Sequence, residues 1–196
     1  MIGDSWTHRL ARVVVRPLVG TSIAPNHLTT VRLVSGLAAC VAFAVGEVPW
    51  TIWGGVLWVV SAFFDRADGE LARLAGTTSP EGHAYDYFCD VAVNGLFFVG
   101  IGVGLRGSGL GRWSVALGML ASFSVIAASL LSEQLERREG SGKKAYTGRW
   151  GFDFDDVLYL FGPVAWLGWL YPLLLGAAVG APVFALWTWI RLQRLP

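Results

Sequence analysis

Apolar stretches about 20 residues long recur through the chain between short polar breaks, and a helix of that length crosses a bilayer core. Six such segments are legible: 28–46, 50–75, 84–105, 113–135, 155–171 and 173–192. Gly46-Glu47-Val48-Pro49 separates the first two, and the Gly76 to Gly82 stretch the next pair. Arg106-Gly107-Ser108-Gly109, the polar stretch 136–152 and Tyr171-Pro172 mark the remaining breaks. Ahead of the first span, Trp6, Leu10, Val13, Val14 and Leu18 alternate with Arg9, Arg12 and Arg16 at roughly helical spacing. That pattern predicts an amphipathic helix within residues 1–20, lying on an anionic membrane surface. The expected architecture is all-α and integral to the membrane, with six transmembrane helices and an N-terminal amphipathic juxtamembrane helix. The whole of 1–196 reads as a single domain.

Composition strengthens this picture. The chain is 54% hydrophobic and only 15% charged, with mean hydropathy +0.53. A soluble domain carries about 25% charged residues, so too few remain here to cover a water-facing surface. Net charge is +1, which leaves no basic field for nucleic acid. Cys40 and Cys89 lie in separate apolar segments and read as small buried hydrophobes. Segments 1–27, 64–83, 136–152 and 191–196 hold 12 of the 15 Lys and Arg residues. Positive residues stay inside, so both termini are expected on the cytoplasmic side of the inner membrane.

Composition does not explain the carboxylates in spans two and three. Asp65 and Asp68 follow 15 uncharged residues, and Asp86 and Asp90 precede 15 more. At about 1.5 Å per residue each run covers roughly 22 Å of a core about 30 Å thick. Both pairs therefore fall at similar depth, near the cytoplasmic interface. The i, i+3 and i, i+4 spacings put each pair on one helical face. If the faces meet, four carboxylates converge, and their repulsion in low dielectric demands a cation. Oxygen donors alone select a hard divalent ion, Mg²⁺ or Mn²⁺. Four carboxylates suffice for two ions sharing ligands, which clamp a phosphoryl group and activate a hydroxyl.

Gly69 and Ala72 leave that helix face without bulk, so a substrate can approach, and Arg73 suits a phosphate. Small residues also simply pack helices, and an arginine also snorkels to the interface. Read through, the string is Asp65-x2-Asp68-Gly69-x2-Ala72-Arg73-x8-Gly82-x3-Asp86-x3-Asp90. It resembles, without departure, the signature of the CDP-alcohol phosphotransferase family.

That resemblance implies specific roles. Asp65, Asp68, Asp86 and Asp90 would bind the metals, with Asp90 also the general base on the acceptor hydroxyl. Gly69, Ala72, Arg73 and Gly82 would line the CDP site. Pro25-Asn26-His27-Leu28-Thr29 resembles the family's Pro-Asn-x-x-Thr start of the first span, so Asn26 and Thr29 would reach the nucleotide or cap that helix. The implied reaction transfers a substituted phosphate from a CDP-linked donor, CDP-diacylglycerol first, to an alcohol and releases CMP. A soluble donor such as CDP-inositol or CDP-choline is the alternative. The family also suggests a homodimer.

Two regions bear on the acceptor. Members using phosphorylated polyols often carry a Lys-Ala-Arg-type motif where this chain reads Ser129 to Glu136, without one. That weakens the case for a phosphatidylinositol-phosphate or phosphatidylglycerol-phosphate synthase. Arg137, Arg138, Lys143, Lys144 and Arg149 read either as a phosphate pocket or as a solvated loop. Asp153, Asp155 and Asp156 resemble the Phe-Asp-x-Asp segment of enzymes joining CDP-inositol to inositol phosphate. They also suit an amine-bearing alcohol, or simply a helix start. His8, His27 and His83 read as interfacial or loop residues. A divalent-cation transporter would also converge carboxylates, but at mid-membrane and without an arginine beside them.

Overall fold

Helices dominate the described residues, 5–139 and 154–195 of a computed structural model. In chain order they are α1 (Trp6–Val15), α2 (Pro25–Val45), α3 (Val48–Ala75), α4 (Pro80–Gly104), α5 (Trp113–Glu139), α6 (Phe161–Trp166) and α7 (Leu170–Gln193). Short 3-10 segments at Arg16–Leu18, Leu105–Gly107 and Phe154–Leu160 link or extend them. Among the described residues, five helices are long and apolar enough to cross a membrane: α2, α3, α4, α5 and α7.

The expected span 155–171 differs. It is a 3-10 segment followed by the six residues of α6, and it ends at Gly168 with φ of 73°. Two sequence features break it. Pro163 has no N–H for the Tyr159 carbonyl and crowds it, which disfavours an α-helix through that turn. Gly168 accepts the left-handed conformation that stops α6. The segment still runs antiparallel along α3. Trp58 Nε1 donates to the Leu158 carbonyl at 2.9 Å, Tyr159 Oη to Ala62 at 2.9 Å, and Trp166 Nε1 to Ile52 at 3.1 Å.

Helix α2 lies against both α3 and α4, α4 against α5, α5 against α7, and α3 also against α1 and α6. Lipid removes the usual hydrophobic drive between helices, so close packing must hold them. Gly100 supplies one such approach, since a Cβ there would stand 2.5 Å from the Cys40 carbonyl oxygen of α2. The centre is aromatic. Phe97 stacks on Phe161 with centroids 5.0 Å apart and lies 4.0 Å from the Trp58 ring. Outside, Trp53, Val179, Val183 and Trp187 are exposed, as a lipid-facing surface requires. Cys40 and Cys89 are free and buried, as expected.

Trp6–Val15 is helical as α1, and one of its faces packs on the protein. Thr7, Ala11 and Val15 are buried, while Trp6, Leu10, Val13 and Val14 are exposed.

Candidate active site

Helices α3 and α4 are antiparallel because only Gly76 to Ser79 joins them, with Gly76 in the left-handed conformation at φ 64°. Ser79 then caps α4, its Oγ accepting the Gly82 N–H at 3.0 Å, and Pro80 follows at the first helical position. This turn brings the two carboxylate pairs together. Asp65, Asp86 and Asp90 each place one oxygen within 4.8 Å of the others. Asp68 stands one turn on from Asp65, buried, with Thr29 Oγ1 donating to its Oδ2 at 2.6 Å. Three of the four expected ligands thus converge as a group, and the fourth is tied to α2.

A cation that sequence reasoning passed over sits in this cluster. Arg32 of α2 is buried, with Nε 3.2 Å from Asp65 Oδ1, Nη1 3.1 Å from Asp86 Oδ1, and Nη2 bonded to Asp90 Oδ1. The signal was available: Arg32 is a lone charge inside an apolar span, seven residues after Pro25, or two helical turns.

Beside the carboxylates opens a cavity of about 750 Å³. Asn26, Thr29, Gly69, Ala72, Arg73 and Gly82 all line it, together with Asp68 and Asp86. Gly69 keeps its wall low, because a Cβ there would meet only the Arg73 guanidinium, at 3.5 Å. Arg73 does not snorkel freely, since its Nη2 donates to Glu70 Oε1 at 2.7 Å. Neither Asn26 nor Thr29 caps α2. Ala24 holds the cap position, and His27 Nδ1 accepts the Ala24 N–H at 3.1 Å.

A second cavity of about 760 Å³ lies toward α5 and α7, walled by Phe97, Phe98, Phe161 and Phe184 with Ser129, Ser132 and Glu136 at its polar part. Asn94 lines it too, and its side-chain amide donates to Asp90 at 3.5 Å. Asp90 therefore lies on α4 midway between Asp86, at the first cavity, and Asn94, at the second.

The acidic and basic stretches resolve unevenly. Asp156 is buried and accepts from Thr7 Oγ1 at 2.5 Å and Ser5 Oγ at 3.5 Å, with Arg66 Nη2 at 3.6 Å. It ties the 3-10 segment at Phe154–Leu160 to α1 and α3. Arg137 pairs with Glu133 at 2.5 Å and Arg138 is exposed. Asp153, Lys143, Lys144, Arg149 and the Asp155 side chain lie outside the described residues. His8 is more than an interfacial residue, as it bonds Glu70 at 2.8 Å.

Residues 22–189 match the family model for CDP-alcohol phosphatidyltransferase. The chain belongs to that family. Among curated relatives of this CDP-alcohol phosphatidyltransferase family member, the phosphatidylinositol phosphate synthase of Corynebacterium glutamicum is 30% identical over 125 residues, 62% of this chain and 52% of that protein. The enzyme of the same name from Mycobacteroides abscessus is 28% identical over 137 residues, 69% of this chain and 61% of that one. The chain thus spans little more than half the length of these relatives. Two crystal structures of Mycobacterium tuberculosis phosphatidylinositol phosphate synthase share the fold. One, with CDP-DAG bound, has a TM-score of 0.64 at 20% identity, covering 95% of this chain and 92% of that one. The other, in complex with manganese and citrate, has a TM-score of 0.62 at 21% identity, covering 96% and 86%. In this family member the carboxylate oxygens of Asp65, Asp86 and Asp90 are hard donors, close enough together to fit a divalent cation.

Proposed function

We propose that the chain transfers the phosphatidyl group of CDP-diacylglycerol to the hydroxyl of an alcohol and releases CMP. One observation carries this reading. The family's string folds so that Asp68, Gly69, Ala72, Arg73, Gly82 and Asp86 face one cavity, with Asp65 and Asp90 beside Asp86. The apolar second cavity supports a donor with hydrocarbon chains over soluble CDP-inositol or CDP-choline. A transporter is disfavoured by the Arg32 guanidinium seated among the carboxylates, which opposes cation passage.

Asp65, Asp68, Asp86 and Asp90 are the proposed ligands of two Mg²⁺ or Mn²⁺ ions. When bound, such ions neutralise the diphosphate and the departing CMP. Gly69 and Ala72 let the nucleotide approach the α3 backbone, and Arg73 holds a diphosphate oxygen. Asn26 and Gly82 line the opposite wall. Thr29 acts through Asp68, keeping its carboxylate turned to the site. Asp90 takes the acceptor's proton as the acceptor oxygen bonds to the β-phosphorus and the bridging P–O bond to CMP breaks. Its place between the two cavities supports that role.

The relatives' name suggests an inositol phosphate as acceptor, whereas among the described residues the polar lining of the second cavity, Ser129, Ser132 and Glu136 with Asn94, carries no positive charge for a phosphate. An unphosphorylated alcohol is therefore the second reading. The cytoplasm-facing site and the homodimer belong to the same proposal, the first supported by the distribution of basic residues. Purified protein with CDP-diacylglycerol and Mg²⁺ should release CMP only when an alcohol is added. Inositol phosphate, inositol, glycerol phosphate and serine as separate acceptors distinguish the two readings. No CMP with any donor and acceptor pair defeats the proposal.

A further inference from the structure

The family string leaves the position after Gly69 unspecified, and this chain puts a glutamate there. Glu70 is among the most enclosed charged side chains on α3, 2% exposed against 19% for Asp65. A buried carboxylate needs partners, and Glu70 has three. Its Oε1 accepts from His8 Nδ1 at 2.8 Å and from Arg73 Nη2 at 2.7 Å, and its Oε2 accepts from Arg12 Nε at 2.9 Å. Two of these come from α1 and one is the arginine of the first cavity.

The histidine's protonation follows from its neighbours. His8 Nε2 lies 3.1 Å from Arg66 Nη1, and a guanidinium can only donate. Nε2 is therefore the acceptor, and Nδ1 carries the proton given to Glu70. Arg66 is fixed in turn near Asp156, which Thr7 of α1 also bonds. The N-terminal helix is thus bound to the protein through polar groups as well as through Ala11 and Val15.

Arg73 is the exposed end of this network, with 53% of its side chain accessible. A half-exposed arginine on a helix end normally samples many rotamers. Here the guanidinium lies over Gly69, where a Cβ would be 3.5 Å from Nη2 and 3.6 Å from Nη1. Its hydrogen bond to Glu70 runs through Nη2, which also lies 3.4 Å from His8 Nδ1, a donor-to-donor approach that bonds neither. Nη1 and Nε are left to face a ligand. Gly69 supplies the floor and Glu70 the tether, so the cation is held at the cavity wall before any donor arrives.

We infer that Glu70 is a positioning residue for Arg73, and that α1 is the clamp that holds Glu70 in place through His8 and Arg12. The inference rests on the reading of Arg73 as a diphosphate contact. Pre-ordering the guanidinium lowers the entropy lost when a diphosphate binds. The N-terminal helix then does more than rest on the membrane: it sets donor affinity from outside the cavity.

A double-mutant cycle on donor binding tests this. CDP-diacylglycerol affinity is measured on the full chain in detergent with Mg²⁺, for Arg73→Gln, Glu70→Gln and the double variant. Glu70→Gln should weaken binding about tenfold, in line with loss of a charged hydrogen bond. Arg73→Gln should weaken it at least as much, and the double variant no further. Losses that multiply, or wild-type affinity in Glu70→Gln, overturn the inference while leaving the Arg73 reading intact. Wild-type affinity in Arg73→Gln defeats that reading, and this inference with it. Glu70→Gln leaves two arginines facing a neutral amide and is at risk of misfolding. Arg12→Gln is the second probe, since Arg12 is 40% exposed on α1. It should weaken donor binding about threefold, on the scale of a partly exposed ion pair, and add nothing to Arg73→Gln. Unchanged affinity in Arg12→Gln removes the clamp.

Discussion

Arg32 Nε lies 3.2 Å from Asp65 Oδ1, so α2 and α3 meet in a buried ion pair at the level of the carboxylate cluster. The same guanidinium reaches Asp86 and Asp90 of α4. One cation therefore ties three helices at the point where four acidic side chains would otherwise drive them apart. Its backbone is fixed as well, because Ser35 and Ser61 both donate to the Arg32 carbonyl. Removing one partner of a buried pair costs about 3–5 kcal/mol, because the other charges remain. Arg32→Met should therefore lower the thermal midpoint measured in EDTA, and Mn²⁺ should recover part of the loss. An unchanged midpoint in EDTA would mean that the carboxylates need no counter-charge.

Asp65→Asn and Asp86→Asn each remove one oxygen donor from the trio within 4.8 Å. Both should abolish CMP release and lose Mn²⁺ binding, as followed by electron paramagnetic resonance. Neither should unfold the protein, since each lowers the repulsion among the remaining carboxylates. EDTA should likewise stop the wild-type reaction, and Mg²⁺ or Mn²⁺ restore it. Full turnover in EDTA would take the aspartates out of the metal's service.

The sequence made α2 to α5 and α7 readable because each is an apolar run bounded by glycine, proline or polar breaks. The stretch at 155–171 is not one continuous α-helix, which hydropathy could not tell because it reports burial and not helix type. Only the backbone chemistry of Pro163 and Gly168 separates a 3-10 segment plus a short helix from a continuous span. In the site, Asp65, Asp86 and Asp90 converge as their spacing on two antiparallel helices implied. Arg32 and Glu70 were missed for a different reason. Arg32 meets Asp65 33 positions away and Glu70 meets His8 62 positions away, pairings no periodicity encodes, although the i, i+3 pair of Glu70 with Arg73 was within its reach. Thr29 was legible as a site residue, but its bond to Asp68 was not.

Gly69→Val tests the low wall of the first cavity. Its Cβ would sit in ordinary contact with the Arg73 guanidinium, and the two methyl groups would enter the donor's space. Glycine is the poorer helix former by a few tenths of a kcal/mol, so the variant should be no less stable in a melt. Donor KM should nonetheless rise by about tenfold, the cost of roughly 1.4 kcal/mol of lost binding. A drop in melting temperature with unchanged KM would assign Gly69 to packing instead.

Asp90→Asn separates the proton acceptor from the ligands. Asp90 is the member of the trio whose helix neighbour one turn on, Asn94, lines the second cavity, whose polar part at Ser129, Ser132 and Glu136 is the proposed acceptor side. Asparagine keeps the shape and the ability to accept the Arg32 hydrogen bond, but it cannot take a proton at neutral pH. Activity should fall by about 10²–10⁴-fold, the usual contribution of a positioned base. Donor affinity should fall far less than in Asp65→Asn, because Asp65 and Asp86 still offer oxygens for the metal beside the diphosphate. Measuring CDP-diacylglycerol dissociation constants and single-turnover rates side by side distinguishes the two variants. Equal losses in affinity and rate would make Asp90 a ligand and nothing more, and near wild-type turnover would move the proton to another acceptor.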